Sequence, residues 1–87
     1  MKRYFVYVIR SEEGRYYTGS TSALKERIKY HNEGKSRWTK TYKNWKLVYK
    51  EEFDTLSEAR KRENFIKKQN GGDGFYKIIG EELKNKK

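Results

Sequence analysis

The sequence predicts a single α/β domain with a small three-stranded antiparallel sheet in the order 2-1-3, flanked by three helices. Two early runs of alternating or continuous apolar residues and a third in the middle of the chain have strand character, and helix start and stop signals separate them. Aliphatic residues are scarce in the 87-residue chain, but eight tyrosines and two tryptophans provide further apolar area for a core.

The first two strands are predicted at residues 3–10 and 15–19, joined by a three-residue hairpin loop that ends in Gly14. Glycine suits the last place of such a loop because that place needs a left-handed backbone. The first strand is apolar throughout and is therefore expected at the centre of the sheet. With this loop, Tyr7 and Tyr17 lie diagonally on one face, about 7–8 Å apart at the backbone, whereas a four-residue loop would separate them.

The first helix is predicted over residues 23–33, with a hydroxyl cap from Thr21 or Ser22 and a stop at Gly34. The following ten residues are polar, basic and aromatic without a clear period, which indicates a loop. Its aromatic residues suit stacking on unpaired bases. The alternative, that Trp38 covers the rim of the core, is equally compatible with the sequence.

The third strand is predicted from Trp45 to Phe53, where residues alternate between apolar and charged. Strict alternation would place four apolar side chains on one face: Trp45, Leu47, Tyr49 and Phe53. The strand is expected to pair with the first strand, on the side away from the hairpin.

The second helix is predicted to start at the capping box Thr55–Glu58 and to run to about Gln69. Its apolar stripe holds Leu56, Ala59 and Ile66, and Glu63 falls within the same stripe. A buried carboxylate is costly unless it is paired or bound to a cation, so a salt bridge and a metal ligand are the two interpretations of this position. A third helix, at about 74–85, is expected to cover Phe65, which faces away from the stripe.

The net charge of +10 is concentrated between residues 25 and 50, which carry nine basic and two acidic residues. A localised basic surface is typical of a protein that binds a polyanion, although a solubilising surface or an acidic membrane is also compatible with it. The absence of cysteine excludes disulfides and thiolate metal sites. No apolar run is long enough to span a membrane, and we expect an intracellular, cytoplasmic protein.

Several positions together resemble the GIY-YIG nuclease superfamily, in particular small single-domain members similar to the nuclease domain of the repair protein UvrC. The segments 5–7 and 17–19 stand at the two motifs that give the superfamily its name, with Arg27, His31 and Glu63 following in order. The resemblance extends from about residue 3 to residue 68. Phe5 replaces a glycine of the first motif and Thr18 an isoleucine of the second, and neither replaced residue has a reactive side chain.

The resemblance implies a metal-dependent endonuclease that hydrolyses DNA phosphodiester bonds, with a role in DNA repair or processing. The implied catalytic set is Tyr7, Tyr17, Arg27, His31 and Glu63. In it Tyr7 takes a proton from the attacking water, and Glu63 holds one Mg²⁺ or Mn²⁺ that binds weakly without substrate. Nearby cations would favour the phenolate of Tyr7.

The same resemblance and the local charge suggest residues that contact nucleic acid: Gly19, Lys25, Lys35, Arg37, Trp38, Lys40, Lys43, Asn64 and Lys67. DNA is the expected partner, RNA is an alternative, and the protein is expected to be a monomer that does not bind membranes. A domain of this size has little surface with which to select a substrate. A protein partner could provide that selectivity. The main rival hypothesis is a non-catalytic DNA- or RNA-binding module on the same scaffold.

Overall fold

A computed structural model describes residues 3–36 and 39–69 of the chain. The described part contains a three-stranded antiparallel sheet in the order β2-β1-β3, which confirms the predicted topology. The predicted third helix lies outside the described residues. The elements are β1 (Tyr4–Arg10), β2 (Tyr16–Thr21), α1 (Leu24–Asn32), β3 (Lys46–Phe53) and α2 (Leu56–Gln69).

The β1–β2 hairpin has the predicted three-residue loop. Gly14 adopts a left-handed backbone with φ of 89°, and its amide donates to the Ser11 carbonyl at 2.9 Å. The Ser11 amide in turn donates to the Arg15 carbonyl at 2.9 Å, which closes the hairpin across the loop. A residue with a side chain is strained at this φ. The glycine at the last place of the loop therefore favours a loop of three residues.

The loop length sets the register of the whole hairpin. Ile9 lies opposite Tyr17 and Tyr7 lies opposite Gly19, so the two tyrosines share a face as predicted. The prediction that β2 ends at Gly19 is wrong, since pairing continues to Thr21. Gly19 is therefore an interior residue of the edge strand β2, and it lies directly opposite Tyr7 of the central strand β1.

Alternate residues of β1 belong to two separate core clusters, one on each face of the sheet. Val6 and Val8 pack with Ala59 and Ile66 of α2, whereas Tyr7 and Ile9 pack with Trp45 and the partly buried Leu24 and Ile28. The two helices thus cover opposite faces of the sheet. This arrangement explains the continuous apolar pattern of β1, which is buried on both sides.

A β-bulge in β3 interrupts the alternation predicted from the sequence. Val8 pairs with Tyr49 but the next residue, Ile9, pairs with Leu47, so Val48 is an extra residue in the ladder. Val48 and Tyr49 consequently both pack on the α2 side. The prediction that Trp45, Leu47 and Tyr49 share a face is wrong, and Leu47 is exposed.

Helix α1 starts without the predicted hydroxyl cap. Ala23 occupies the N-cap position and makes no side-chain hydrogen bond there. The Thr21 hydroxyl instead accepts a hydrogen bond from the Ala23 amide at 3.0 Å, within the turn that leads out of β2. The predicted stop is confirmed, because Gly34 has a left-handed backbone with φ of 75° directly after the helix.

Helix α2 begins as its capping sequence predicts, with the Glu58 amide donating to the Thr55 hydroxyl at 3.2 Å. Ala59 and Ile66 are fully buried, but the prediction that Leu56 belongs to the buried stripe is wrong, since it is 39% exposed. Phe65 is also exposed in the described part of the chain, and its predicted cover lies outside that part.

Candidate active site

A polar pocket of about 430 Å³ lies beside the edge strand β2. Residues of β1, β2, α1 and α2 all line it, because β2 is the edge strand and the two helices cover opposite faces of the sheet. Most of its lining is polar, which suits a charged ligand. The lining residues are Tyr7, Tyr17, Gly19, Ser20, Arg27, Arg60, Glu63 and Asn64.

Gly19 is the residue that lets the two tyrosines meet. A Cβ built at Gly19 would lie 2.7 Å from the Tyr7 hydroxyl and 3.1 Å from Cε2 of Tyr17. Contacts this short do not occur for real side chains, so any larger residue would displace the tyrosine rings. Its role in the structure is thus to make room for Tyr7 and Tyr17, rather than only to bring the backbone close to a ligand.

Tyr7, Tyr17 and His31 form a tight aromatic group behind the pocket. The ring centroids of the two tyrosines are 6.3 Å apart, and the centroid of Tyr17 is 4.8 Å from that of His31. His31 Nε2 is 2.9 Å from the Tyr7 hydroxyl. His31 is itself buried and does not line the pocket, so it reaches a ligand only through Tyr7.

The protonation states of this group follow from its burial. Burial, followed by the neighbouring Tyr17, raises the pKa of Tyr7 well above its usual range, although Arg27 opposes the shift. Arg27 thus favours the phenolate, as expected of a nearby cation, but burial outweighs its effect on the pKa of Tyr7. Burial and then Arg27 lower the pKa of His31 to about 4. At neutral pH the pair is a phenol beside a neutral imidazole.

Arg27 presents a positive charge to the pocket. Its guanidinium carbon lies 4.9 Å from the ring centroid of Tyr30, one turn along α1. Within the part of the chain that the structure describes, no carboxylate forms an ion pair with Arg27. A guanidinium that is held by a ring and not neutralised by an acid is well suited to bind a phosphate.

Glu63 supplies the carboxylate of the pocket. The Ser20 hydroxyl donates to its Oε1 at 2.7 Å, and Lys67 Nζ lies 2.6 Å from its Oε2. The sequence left a salt bridge and a metal ligand as the two interpretations of Glu63. The salt bridge is present, and the carboxylate also lines the pocket, where it is available to a cation. Lys67 is half exposed and can swing away, so Glu63 could exchange this lysine for a cation bound in the pocket.

The oxygen atoms around the pocket fit a single Mg²⁺ or Mn²⁺ held mainly by substrate. Mg²⁺ is commonly bound through one or two carboxylates together with substrate phosphates and water. Glu63 is the one carboxylate among the lining residues, and within residues 3–36 and 39–69 no group of three or more His, Cys, Asp or Glu could hold a metal ion. The residues present therefore fit a weak site rather than a permanent one.

A family model described as the GIY-YIG catalytic domain matches residues 3–75. The chain belongs to the GIY-YIG family. UPF0213 proteins of Staphylococcus saprophyticus and Staphylococcus haemolyticus are each 41% identical to it over 68 residues, which cover 77% of this chain and 83% of each relative. A solution NMR structure of a UPF0213 protein from Bacillus halodurans is 27% identical, with a TM-score of 0.47, and covers 84% of this chain and 90% of that chain.

Within this GIY-YIG domain, the five residues of the implied catalytic set lie close together. Four of them, Tyr7, Tyr17, Arg27 and Glu63, line the pocket itself, and His31 supports Tyr7 from behind. Membership of a nuclease family supports an endonuclease. The roles of the individual residues remain predictions of the resemblance.

The residues predicted to contact nucleic acid are dispersed over the domain. Asn64 lines the pocket and Lys67 is engaged with Glu63, whereas Lys35 pairs with Glu33 at 3.2 Å. Three further lysines are exposed, and two predicted residues lie outside the described part of the chain. The exposed lysines are Lys25, Lys40 and Lys43; the undescribed residues are Arg37 and Trp38.

Sequence reasoning missed two residues of the site. Arg60 lines the pocket one turn before Glu63 on the same face of α2, and that three-residue spacing was a usable signal. Thr39 contacts His31 from the loop after α1, with 2.8 Å between its hydroxyl and His31 Nδ1. No periodicity in that loop points to Thr39, because its position depends on how the loop folds back.

Neither helix within residues 3–36 and 39–69 has the length and apolar character needed to cross a membrane.

Proposed function

We propose that this chain is an endonuclease that hydrolyses phosphodiester bonds of DNA with one divalent cation. The observation that carries the proposal is the convergence of two tyrosines, Arg27 and a carboxylate on one polar pocket at the sheet edge. Phosphodiester hydrolysis needs a site that binds a phosphate, a group that accepts a proton from water, and stabilisation of the charge that develops. Each need has a candidate in this pocket.

Arg27 is the proposed phosphate-binding residue. Its planar guanidinium can donate two parallel hydrogen bonds to phosphate oxygens and stabilise the additional charge of the transition state. Stacking over Tyr30 limits the motion of the guanidinium before substrate arrives. Arg60, which also lines the pocket, offers a second positive charge to the same phosphate or its neighbour.

Tyr7 is the proposed proton acceptor, and its protonated state at neutral pH defines how it can act. A phenol can take a proton from the attacking water only if it gives up its own, and His31 Nε2 is 2.9 Å away to receive it. As the water oxygen bonds to phosphorus, its proton passes to the Tyr7 oxygen and the Tyr7 proton passes to His31. The bond from phosphorus to the leaving oxygen breaks, its electron pair stays with that oxygen, and solvent returns a proton to it.

Phosphate binding also improves His31 as a base. Arg27 contributes to the low pKa of His31, so a phosphate that offsets the charge of Arg27 raises that pKa. Binding of substrate thus makes proton transfer from Tyr7 to His31 more favourable. The second tyrosine, Tyr17, would orient the water or the phosphate from across the pocket.

Glu63 is the proposed ligand of the divalent cation. When bound, the cation would stabilise charge on the phosphate and the leaving oxygen. Ser20 holds Oε1 of the carboxylate in place, and Lys67 covers Oε2 without substrate. This arrangement supports weak binding of metal in the absence of DNA.

The test is an endonuclease assay on branched, single-stranded and duplex DNA, with and without Mg²⁺ or Mn²⁺. Tyr7→Phe, Arg27→Ala and Glu63→Gln are each expected to abolish cleavage while the fold, checked by circular dichroism, is retained. Tyr49→Phe and Glu58→Gln are matched controls, because both residues lie away from the pocket. Cleavage that survives in all three pocket variants would refute the assignment of the site.

A non-catalytic DNA- or RNA-binding module is the second candidate. The net charge of +10 and a carboxylate already engaged by Lys67 favour it. Salt-sensitive binding to nucleic acid without cleavage of any substrate would identify this function, and preference for double-stranded RNA would identify its target. The proposal also includes four properties expected from the resemblance and the cysteine-free composition. They are a role in DNA repair or processing, a cytoplasmic location, a monomeric state and a partner that selects substrates.

A further inference from the structure

A buried chain of hydrogen bonds runs from the pocket into the loop that follows α1. The Tyr7 hydroxyl is 2.9 Å from His31 Nε2, and His31 Nδ1 is 2.8 Å from the Thr39 hydroxyl. Beyond Thr39, its carbonyl accepts a hydrogen bond from Trp45 Nε1 at 3.2 Å. All four residues are at least 96% buried. The loop is thereby fixed at the point where it touches the histidine.

The hydroxyls of Tyr7 and Thr39 cannot both donate a hydrogen bond to His31, because a neutral imidazole offers one nitrogen lone pair. A neutral imidazole carries one N–H donor and one bare nitrogen acceptor, so His31 cannot accept from both Tyr7 and Thr39. The group that donates to the bare nitrogen therefore decides which nitrogen carries the hydrogen. The other hydroxyl must then accept a hydrogen bond from the imidazole N–H.

The phenol is the stronger donor of the two. Both hydroxyls are buried, and a phenol is intrinsically far more acidic than an aliphatic alcohol, so the phenol forms the stronger hydrogen bond to an imidazole nitrogen. A threonine hydroxyl has two lone pairs and accepts equally well. The arrangement that satisfies all three groups has Tyr7 donating to Nε2 while Nδ1–H donates to Thr39.

The groups around His31 keep this arrangement neutral. Its ring lies against that of Tyr17 at 4.8 Å and in an edge contact with that of Tyr30 at 5.8 Å, and the charge that acts on it is the positive charge of Arg27. The partner at Nδ1 is an uncharged hydroxyl. A carboxylate in that place would stabilise an imidazolium before substrate arrives and leave Nε2 without a free lone pair.

We propose that Thr39 is a positioning residue that holds His31 in the tautomer with hydrogen on Nδ1, so that Nε2 is free to accept the proton of Tyr7. This inference rests on the proposed function for its catalytic consequence. The tautomer itself is a property of the folded protein and can be measured without any nuclease activity.

The first experiment identifies the tautomer by NMR. His31 is the only histidine of the chain, so the two ring nitrogens in a long-range ¹H–¹⁵N correlation spectrum are assigned without ambiguity. At pH 7 we expect a protonated Nδ1 and a bare Nε2. In Thr39→Val, which removes the acceptor, a buried Nδ1–H would lose its partner, and we expect the hydrogen to move to Nε2. Thr39→Ser is expected to restore the wild-type spectrum.

A wild-type spectrum with hydrogen on Nε2 would overturn the proposal, as would a Thr39→Val spectrum identical to wild type. Should Thr39→Val fail to fold, Thr39→Ala, which also removes the acceptor, takes its place in the same comparison. Thr41→Val is the matched control, since Thr41 is an exposed threonine in the same loop. It is expected to leave the tautomer unchanged.

The second experiment measures the consequence for cleavage. Thr39→Val is expected to lower kcat on the order of 100-fold, the usual scale for loss of a general base, with little change in KM because the phosphate-binding residues remain. Thr39→Ser should retain most of the activity. If the wild type has the expected tautomer but cleaves nothing, the proposed function fails and the positioning role of Thr39 stands. If Thr39→Val changes the tautomer but not kcat, the catalytic part of the inference is wrong.

Discussion

Moderate acid should destabilise this protein through a single side chain. His31 is buried and neutral in the folded state, where its pKa is about 4, compared with 6.5 for an ordinary histidine. Between these two values the unfolded chain binds a proton that the folded protein does not. Stability contributed by His31 is therefore complete above about pH 6.5 and is lost as the pH falls towards 4.

The size of this effect follows from the two pKa values. The proton-linkage relation gives a loss of about 3 kcal/mol at pH 4 and about 2 kcal/mol at pH 5, relative to neutral pH. For a small domain this is a large part of the total free energy of unfolding, which is commonly 5–15 kcal/mol. The comparison with a variant that lacks the imidazole isolates the contribution of the histidine.

The assay is urea unfolding followed by circular dichroism at pH 7 and pH 5, for the wild type and for His31→Gln. We expect the difference in unfolding free energy between wild type and variant to shrink by about 2 kcal/mol on acidification. An NMR titration of the sole histidine should show a midpoint below pH 5. Equal pH dependence in both proteins, together with a midpoint near 6.5, would refute the buried-neutral description.

Three further predictions concern the pocket and its substrate. Gly19→Ala should abolish cleavage and lower the free energy of unfolding, because its methyl group overlaps the hydroxyl of the buried Tyr7; unchanged activity in a kinetic assay would contradict this. Lys67→Met should lower the Mg²⁺ concentration needed for half-maximal cleavage, since it frees Glu63, while Lys68→Met should have no effect. Affinity for DNA, measured by fluorescence anisotropy, should fall linearly on a log–log plot against salt concentration; independence of salt would count against a phosphate-binding surface.

Much of the sheet could be predicted from the sequence because its determinants are local. Gly14 at the end of a short polar loop sets the hairpin register, and the register alone brings Tyr7 and Tyr17 to one face. The continuous apolar run of β1 likewise indicates a strand buried on both sides. Both features depend on residues that are neighbours in the sequence, so a sequence pattern can indicate them.

The features that were missed depend on contacts between distant parts of the chain. The bulge at Val48 is a property of the pairing between β3 and β1, and strict alternation in the sequence gives no sign of it. Thr39 reaches His31 because the loop folds back over the histidine. The exposure of Leu56 depends on which part of α2 the rest of the fold covers, and the periodicity of α2 does not show this.

The separation of Ser20 and Glu63 along the chain has a consequence for protein synthesis. These residues are 43 positions apart, yet their side chains are in direct contact. A chain that ends at residue 54 contains Tyr7, Tyr17 and Arg27 but lacks Arg60 and Glu63, so the carboxylate of the pocket is missing. The pocket is therefore complete only after α2 has been synthesised and has docked on the sheet.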